Sequence, residues 1–473
     1  MRSTHLPSSV GDLFFRFSPC FTAPTAEGFV ALVVGWLLCQ GRHTVSGALL
    51  AARSYGLWSR HHSAFYRLLS RARWSVDQVG HVLFDLLLAF LPDEVDAAVD
   101  DTLCHRSGPQ IFGAAMHHDT ARSTYGGGMG RRVAFAFGHN WVVLSVWVPY
   151  PWNPARGLAV PVLFRLYRSK KRCPPCDYRK RTELAAELVE VLLGWLPQGR
   201  TLNLTGDREY GCRTVLADLG GDVRFTGALP MNADLRETRV LQSGRGRPRE
   251  SGRPLPSPRA RVAARNAPWQ DVTVSLYGRP VKVRVLTFVA AWWHVTGPLP
   301  LRIVITRDPR GRLADRAFFS TRAQDSAEDV LLRYARRWSL EVTFEAAKQF
   351  LGLEEPRNGW WRRPHGRRRA WKKAGPEARG DRGRRAVERT VPLLFTAYGI
   401  AFAWYLAHGQ PLRDVQRARR IRPWDTQKSQ PAYADMLGAL RRELWASRLS
   451  TKAPGGPPFA KLRHLLPLLS RAA

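Results

Sequence analysis

Four side chains in one short run, Tyr334, Arg337, Glu341 and Lys348, could act together in one reaction. The run lacks Gly and Pro and is rich in Leu, Ala, Glu and Arg, which predicts a helix. At about 100° per residue the four fall within roughly 60° of one another. One helical face then carries a carboxylate, two cations and a phenol. A metal-binding carboxylate flanked by phosphate-binding cations is what an enzyme that cuts nucleic acid requires. A solvated helix with Arg337 and Glu341 one turn apart has the same spacing, worth only about 0.3 kcal/mol.

Two further acids stand where they could join Glu341. Asp100 or Asp101 closes a short apolar run from Val95, and Asp207 follows the run from Thr201 to Thr205. Strand ends are where open α/β sheets gather functional groups. Three gathered carboxylates repel one another unless cations lie between them, and hard oxygen donors favour Mg²⁺ or Mn²⁺. Two such ions can activate a water or a 3′-hydroxyl and stabilise the leaving oxygen of a phosphodiester. Singly, each acid also reads as a turn or a helix cap.

The elements that must position these acids follow from the apolar periodicity. Residues 1–92 read as helical, with segments at 27–40, 44–53, 62–72 and 76–91, and Pro92 as a stop. Strands are expected at 95–100, 132–150 and 158–167, with 149–157 as a turn-rich connector. A helix at 178–196, a strand at 201–205, a helix to about 219 and a strand at 222–229 come next. The first three strands suit an antiparallel meander and the later ones a parallel arrangement. Residues 232–306 read as a β-rich insertion with a basic loop, and 392–407 as a buried helix. Residues 411–473 read as a helical, basic tail.

Composition narrows the partner. The chain has 473 residues, enough for several domains, and 45% of them are hydrophobic, so most of it should fold. The net charge of +35 calls for a polyanion, and nucleic acid is the plain choice. Gly244-Arg245-Gly246-Arg247-Pro248 has the form of a segment that lies in an A·T minor groove, or of a non-specific phosphate-binding loop. A second basic run spans 357–385. The Met1–Leu6 start lacks a secretory pattern, the longest apolar runs are too short for a bilayer, and the six cysteines are scattered. These point to a cytoplasmic protein. Cys173 and Cys176 form the single close pair, weak as a zinc signal.

The chain resembles bacterial insertion-sequence transposases of the DDE superfamily, which have a ribonuclease-H-like fold. A subgroup carries the signature Tyr-(2)-Arg-(3)-Glu-(6)-Lys, met without a gap by Tyr334, Arg337, Glu341 and Lys348. Its second acid stands in an Asp-Arg-Glu context, matched by Asp207-Arg208-Glu209, and its first in an Asp-x-Thr context, matched by Asp100-Asp101-Thr102. The resemblance therefore implies an α/β fold with a ribonuclease-H-like mixed sheet (93–231 and 307–410), a β insertion (232–306), a helical N-terminal domain (1–92) and a helical tail. It implies that Asp100, Asp207 and Glu341 hold two Mg²⁺ ions, with Mn²⁺ able to substitute. Arg337, Lys348 and Tyr334 would contact DNA backbone, and Trp338 would stack on a base or fill a core. Element ends and target DNA would be the partners, with a homodimer on the paired ends and a nucleoid-associated location. A nuclease that cuts without joining, and a non-catalytic DNA-binding derivative, are the alternatives.

Overall fold

The computed structural model describes residues 6–57, 60–107, 111–123, 132–217, 219–238, 251–276, 278–356, 380–451 and 465–470. The Arg245/Arg247 segment and most of the 357–385 run lie outside these residues.

Helices α1 (Ser8–Phe15), α2 (Ala23–Leu38), α3 (Val45–Tyr55), α4 (Ser63–Ser70) and α5 (Val76–Leu87) open the chain. Sequence periodicity locates the last four; α1, only two turns long, escapes it. Thr44 and Ser75 accept the Gly47 and Gln78 amides, satisfying first-turn donors of α3 and α5.

Strands β1 (Glu94–His105), β2 (Ala115–His118), β3 (Phe135–Tyr150) and β4 (Asn153–Tyr167) follow, then α6 (Arg181–Leu193), β5 (Thr201–Gly206), α7 (Arg213–Leu216) and β6 (Val223–Leu229). β3 runs antiparallel to β1 and to β4, while β5 is parallel to β1 and β6 parallel to β5. The expected connector 149–157 is instead part of a tight hairpin, with Tyr150 paired to Asn153 and the register shifting there. β1 also continues past Asp100 to His105, because β3 is long enough to pair it throughout. Asp100 thus stands inside a strand and not at its end; on the β5 side alone the pairing stops at Val99 and Gly206.

After β7 (Leu235–Arg236), β8 (Pro254–Leu255) and α8 (Pro258–Ala263) come β9 (Gln270–Leu276), β10 (Arg279–Ala290), α9 (Trp293–Thr296), β11 (Leu301–Arg307) and β12 (Arg316–Ser320). Among the described residues the main sheet has ten strands, in the order β2-β3-β1-β5-β6-β12-β11-β10-β9 with β4 on β3. The β9–β11 strands therefore extend the same sheet through β12. The mixed α/β architecture is compatible with a ribonuclease-H-like DDE fold.

Helix α10 (Ala327–Leu351) crosses this sheet. Its start is fixed reciprocally: the Asp329 amide donates to Ser326 Oγ at 3.1 Å, and the Ser326 amide to the Asp329 carboxylate at 3.2 Å. Its first turns pack on Val274, Val285, Val304 and Phe318 of β9–β12. Further along, Thr343 Oγ1 donates to the Ala159 carbonyl of β4 at 2.7 Å. Gly352 ends the helix at φ 58°, where a Cβ would also approach His43 Cβ to 2.6 Å.

Helices α11 (Asp381–His408), α12 (Pro411–Ile421) and α13 (Tyr433–Thr451) close the fold. α11 contains Pro392 and begins well before it. It packs against α2, α4, α5 and β4, so one apolar cluster joins the N-terminal helices to the sheet. Among the described residues α11 alone is long and apolar enough to cross a membrane, and its apolar stretch lies buried inside the protein.

Candidate active site

Alternation along β1 sorts its two adjacent acids onto opposite faces of the sheet. Asp100 faces α10, where Arg337 donates to its carboxylate. Asp96, four residues earlier on the same face, takes Arg336 in the same way. Asp101 faces α6: its carboxylate accepts from Asn140 Nδ2 at 2.6 Å and lies 3.4 Å from both Arg181 and the Tyr210 hydroxyl.

Arg337 is the hub on the α10 face. Besides Asp100, it contacts Glu341 at 3.0 Å, and its guanidinium lies 5.5 Å from the Tyr334 ring centroid. Tyr334 rests on Phe318, with ring centroids 4.6 Å apart. The Arg337 and Asp100 side chains are each 12% exposed, against 36% for Glu341. Arg337 therefore points inward, contrary to the outward aim that a phosphate contact suggests. The chain's excess positive charge decides less here than a buried carboxylate directly beneath the helix.

Asp207 enters by register. Asp207 follows directly on the last β1–β5 pair, Val99 with Gly206, as Asp100 does on the other strand, and its charge acts on both Asp100 and Arg337. The turn behind it is tight. Asp207 Oδ1 accepts the amides of Glu209 at 2.8 Å and Tyr210 at 3.3 Å. Gly206 permits this fold-back, because a Cβ there would come within 2.8 Å of Tyr210 Cβ.

The electrostatics show how closely these groups crowd. Burial pushes the Asp100 carboxyl up to about 7 against the pull of Arg337, and the charges of Asp101 and Asp207 add to the rise. Burial opposes the charge on Arg337, yet Asp100, Tyr334, Glu341 and Asp207 together hold its pKa above the ordinary value. Burial raises the Tyr334 phenol.

The structure thus brings Asp100, Arg337, Glu341 and Tyr334 together by contact and Asp207 by register. It does not bring Lys348 to them: its ammonium donates to the Leu103 carbonyl at 2.9 Å and pairs with Glu354 at 3.5 Å. Glu354 in turn takes the His105 amide at 3.0 Å. Trp338 is 49% exposed, which excludes the core role. Cys173 and Cys176 are both free. Sequence reasoning missed Arg181 and Glu354, since neither spacing nor composition sets an Arg at a helix start or a Glu after a helix end apart from many others.

A divalent cation fits this site in donor type and charge. Its acids offer hard oxygen donors, Asp100 buried and Asp207 and Glu341 partly exposed, and Arg337 already bridges Asp100 and Glu341. Among the described residues no three His, Cys, Asp or Glu side chains form a ready-made cage.

A family model described as DDE superfamily endonuclease matches residues 16–286, more than half of the chain, and the chain belongs to that family. Membership makes it an enzyme of nuclease type acting on DNA, a class that normally uses divalent metal ions. Asp100 and Asp207 lie within the matched residues and α10 beyond them. No curated protein matches the chain.

Proposed function

We propose that the protein is a DNA transposase that cuts the ends of an insertion sequence and joins them to target DNA. The observation carrying this reading is the bridge from Asp100 through Arg337 to Glu341, with Asp207 one register step away. The sheet and α10 are far apart in sequence, and Arg337 of the α10 signature meets both the acid of β1 and Glu341.

In this reading Asp100, Asp207 and Glu341 hold the divalent ions. Mg²⁺ or Mn²⁺ bound there would activate a water or the DNA's own 3′-hydroxyl and offset charge on the leaving oxygen. Arg337 serves the carboxylates, reaching a DNA phosphate only if metal binding releases it from Asp100, and Tyr334 packs beside its guanidinium. Lys348 offers its charge from the lower end of α10, tied to the end of β1. Trp338, exposed one residue from Arg337, offers a face on which an unpaired base can stack. The layout proposed is a helical region 1–92, a catalytic core of 93–231 and 307–410, an insertion 232–306 and a tail 411–473. Two copies would act on paired element ends.

The test is incubation of the protein with Mg²⁺ and a duplex carrying the element's ends. Joined products are expected, and Glu341→Gln should abolish cleavage while leaving DNA binding within about twofold of wild type. Cleaved ends with no joined product would reduce the claim to the endonuclease activity of the family. Unchanged cleavage by the variant would remove Glu341 from the site.

A further inference from the structure

Behind the candidate site, on the α6 face of the sheet, one guanidinium ties together the chain neighbours of two acids assigned above. Arg181 is the first residue of α6, whose start is fixed by the Lys180 amide donating to Glu183 at 2.8 Å. Its Nε and Nη2 meet the two oxygens of Glu209 at 2.7 and 2.8 Å, a forked pair. Its Nη1 lies 3.4 Å from Asp101 Oδ2. The group also lies 5.5 Å from the Tyr167 ring centroid, which limits its freedom on the third side.

Each carboxylate so held lies within two residues of a proposed metal ligand. Asp101 follows Asp100 along β1. Glu209 lies two residues beyond Asp207, and its own amide donates to Asp207 Oδ1. Tyr210 closes the loop, taking its amide to Asp207 and its hydroxyl to Asp101. The β1–β5 pairing ends at Val99 and Gly206. Past that point no ladder hydrogen bond fixes the distance between Asp100 and Asp207, and the links through Arg181 and Tyr210 span the gap, of which the forked Arg181 pair is the shorter. Burial of Arg181 opposes its charge, yet Asp101 and Glu209 hold its pKa above the ordinary value, so the clamp stays ionised.

We propose that Arg181 is a positioning residue that sets the spacing of Asp100 and Asp207 for divalent metal by clamping Asp101 and Glu209 from the opposite face of the sheet. The proposal rests on the metal-ligand assignment made above. Residues behind the ligands of a metal site typically contribute 10–100-fold in affinity. Arg181 touches neither metal nor DNA in this scheme, so its removal should act on metal binding and leave DNA binding intact.

The experiment is Mn²⁺ binding to the full-length protein, read by electron paramagnetic resonance. Wild type, Arg181→Gln, Arg181→Lys and Asp100→Asn are compared, with DNA affinity measured without metal and urea unfolding as a fold control. Arg181→Gln should raise the Mn²⁺ dissociation constant by about 10–100-fold at unchanged DNA affinity. Arg181→Lys, which cannot fork, should fall between. In cleavage assays the metal concentration for half-maximal rate should rise more than the saturating rate falls. Equal Mn²⁺ affinity in wild type and Arg181→Gln would overturn the proposal, as would a loss confined to DNA affinity. Should Arg181→Gln not fold, Glu209→Gln breaks the same link and carries the same expectations. Wild-type Mn²⁺ binding that Asp100→Asn leaves unaltered would instead overturn the ligand assignment itself, and Arg181 with it.

Discussion

At the scale of single residues, the buried contact between Arg337 and Asp100 dominates the site. Arg337→Ala leaves Asp100 buried without its counter-charge, so the carboxyl must take up a proton or remain unpaired, and breaking a buried pair from one side costs up to about 3–5 kcal/mol. Urea unfolding at pH 8 should show that loss, and adding Asp100→Asn should restore part of it. A loss below about 0.5 kcal/mol would mean the pair is solvated in solution. Glu341 and Arg337 were legible from the helix's own spacing. The choice between Asp100 and Asp101 was not, because both close the same apolar run. Only the placement of α10 on one face and α6 on the other separates them, and that placement depends on chain more than 75 residues from either acid. The inward aim of Arg337 was equally hidden: sequence reports that the chain is cationic, not which cation finds a buried carboxylate.

At the scale of elements, strands with long apolar alternation or runs read well. β3, β4, β5 and β6 lie near their expected places. β12, five residues opening on Arg316 just after Asp315, gave no periodicity to detect. Pro392 was read as a helix start, yet α11 runs through it with Thr396 Oγ1 donating to the Pro392 carbonyl at 3.0 Å; burial on all sides outweighs one missing donor. β3 also carries a testable titration. His139 is fully buried, accepts from Arg106 at 3.2 Å and donates to the Phe112 carbonyl at 2.8 Å. Burial, then Arg106, pulls its pKa down to about 3. An unfolded His titrates near 6.5. Between those values the unfolded chain binds the additional proton. The stabilisation is complete above about pH 6.5 and is lost as pH falls toward 3, by up to about 1.4 kcal/mol per pH unit. His139→Gln should flatten the acid limb of stability against pH by one proton; an identical slope in both proteins would show that His139 protonates in the folded state.

At the scale of the whole molecule, the net charge of +35 is the most readable property. DNA affinity should fall steeply with salt, with a log–log slope of about −0.9 for each phosphate contacted. A flat response in filter binding between 50 and 200 mM salt would contradict backbone contact as the main attraction. The apolar cluster shared by the two ends of the chain was not readable, since helices at those ends announce their amphipathicity but not their partners. Arg389 of α11 shows what that pairing entails. It donates to the carbonyls of Leu69 and Trp74 across separations of 320 and 315 residues, capping the end of α4. At about 5–20 residues per second, a ribosome needs roughly 15–60 s to reach the partner that α4 awaits. Through that interval the faces of α2, α4 and α5 destined for α11 have nothing to cover them. The yield of the chain should therefore depend on shielding of those apolar faces during synthesis more than its final stability does.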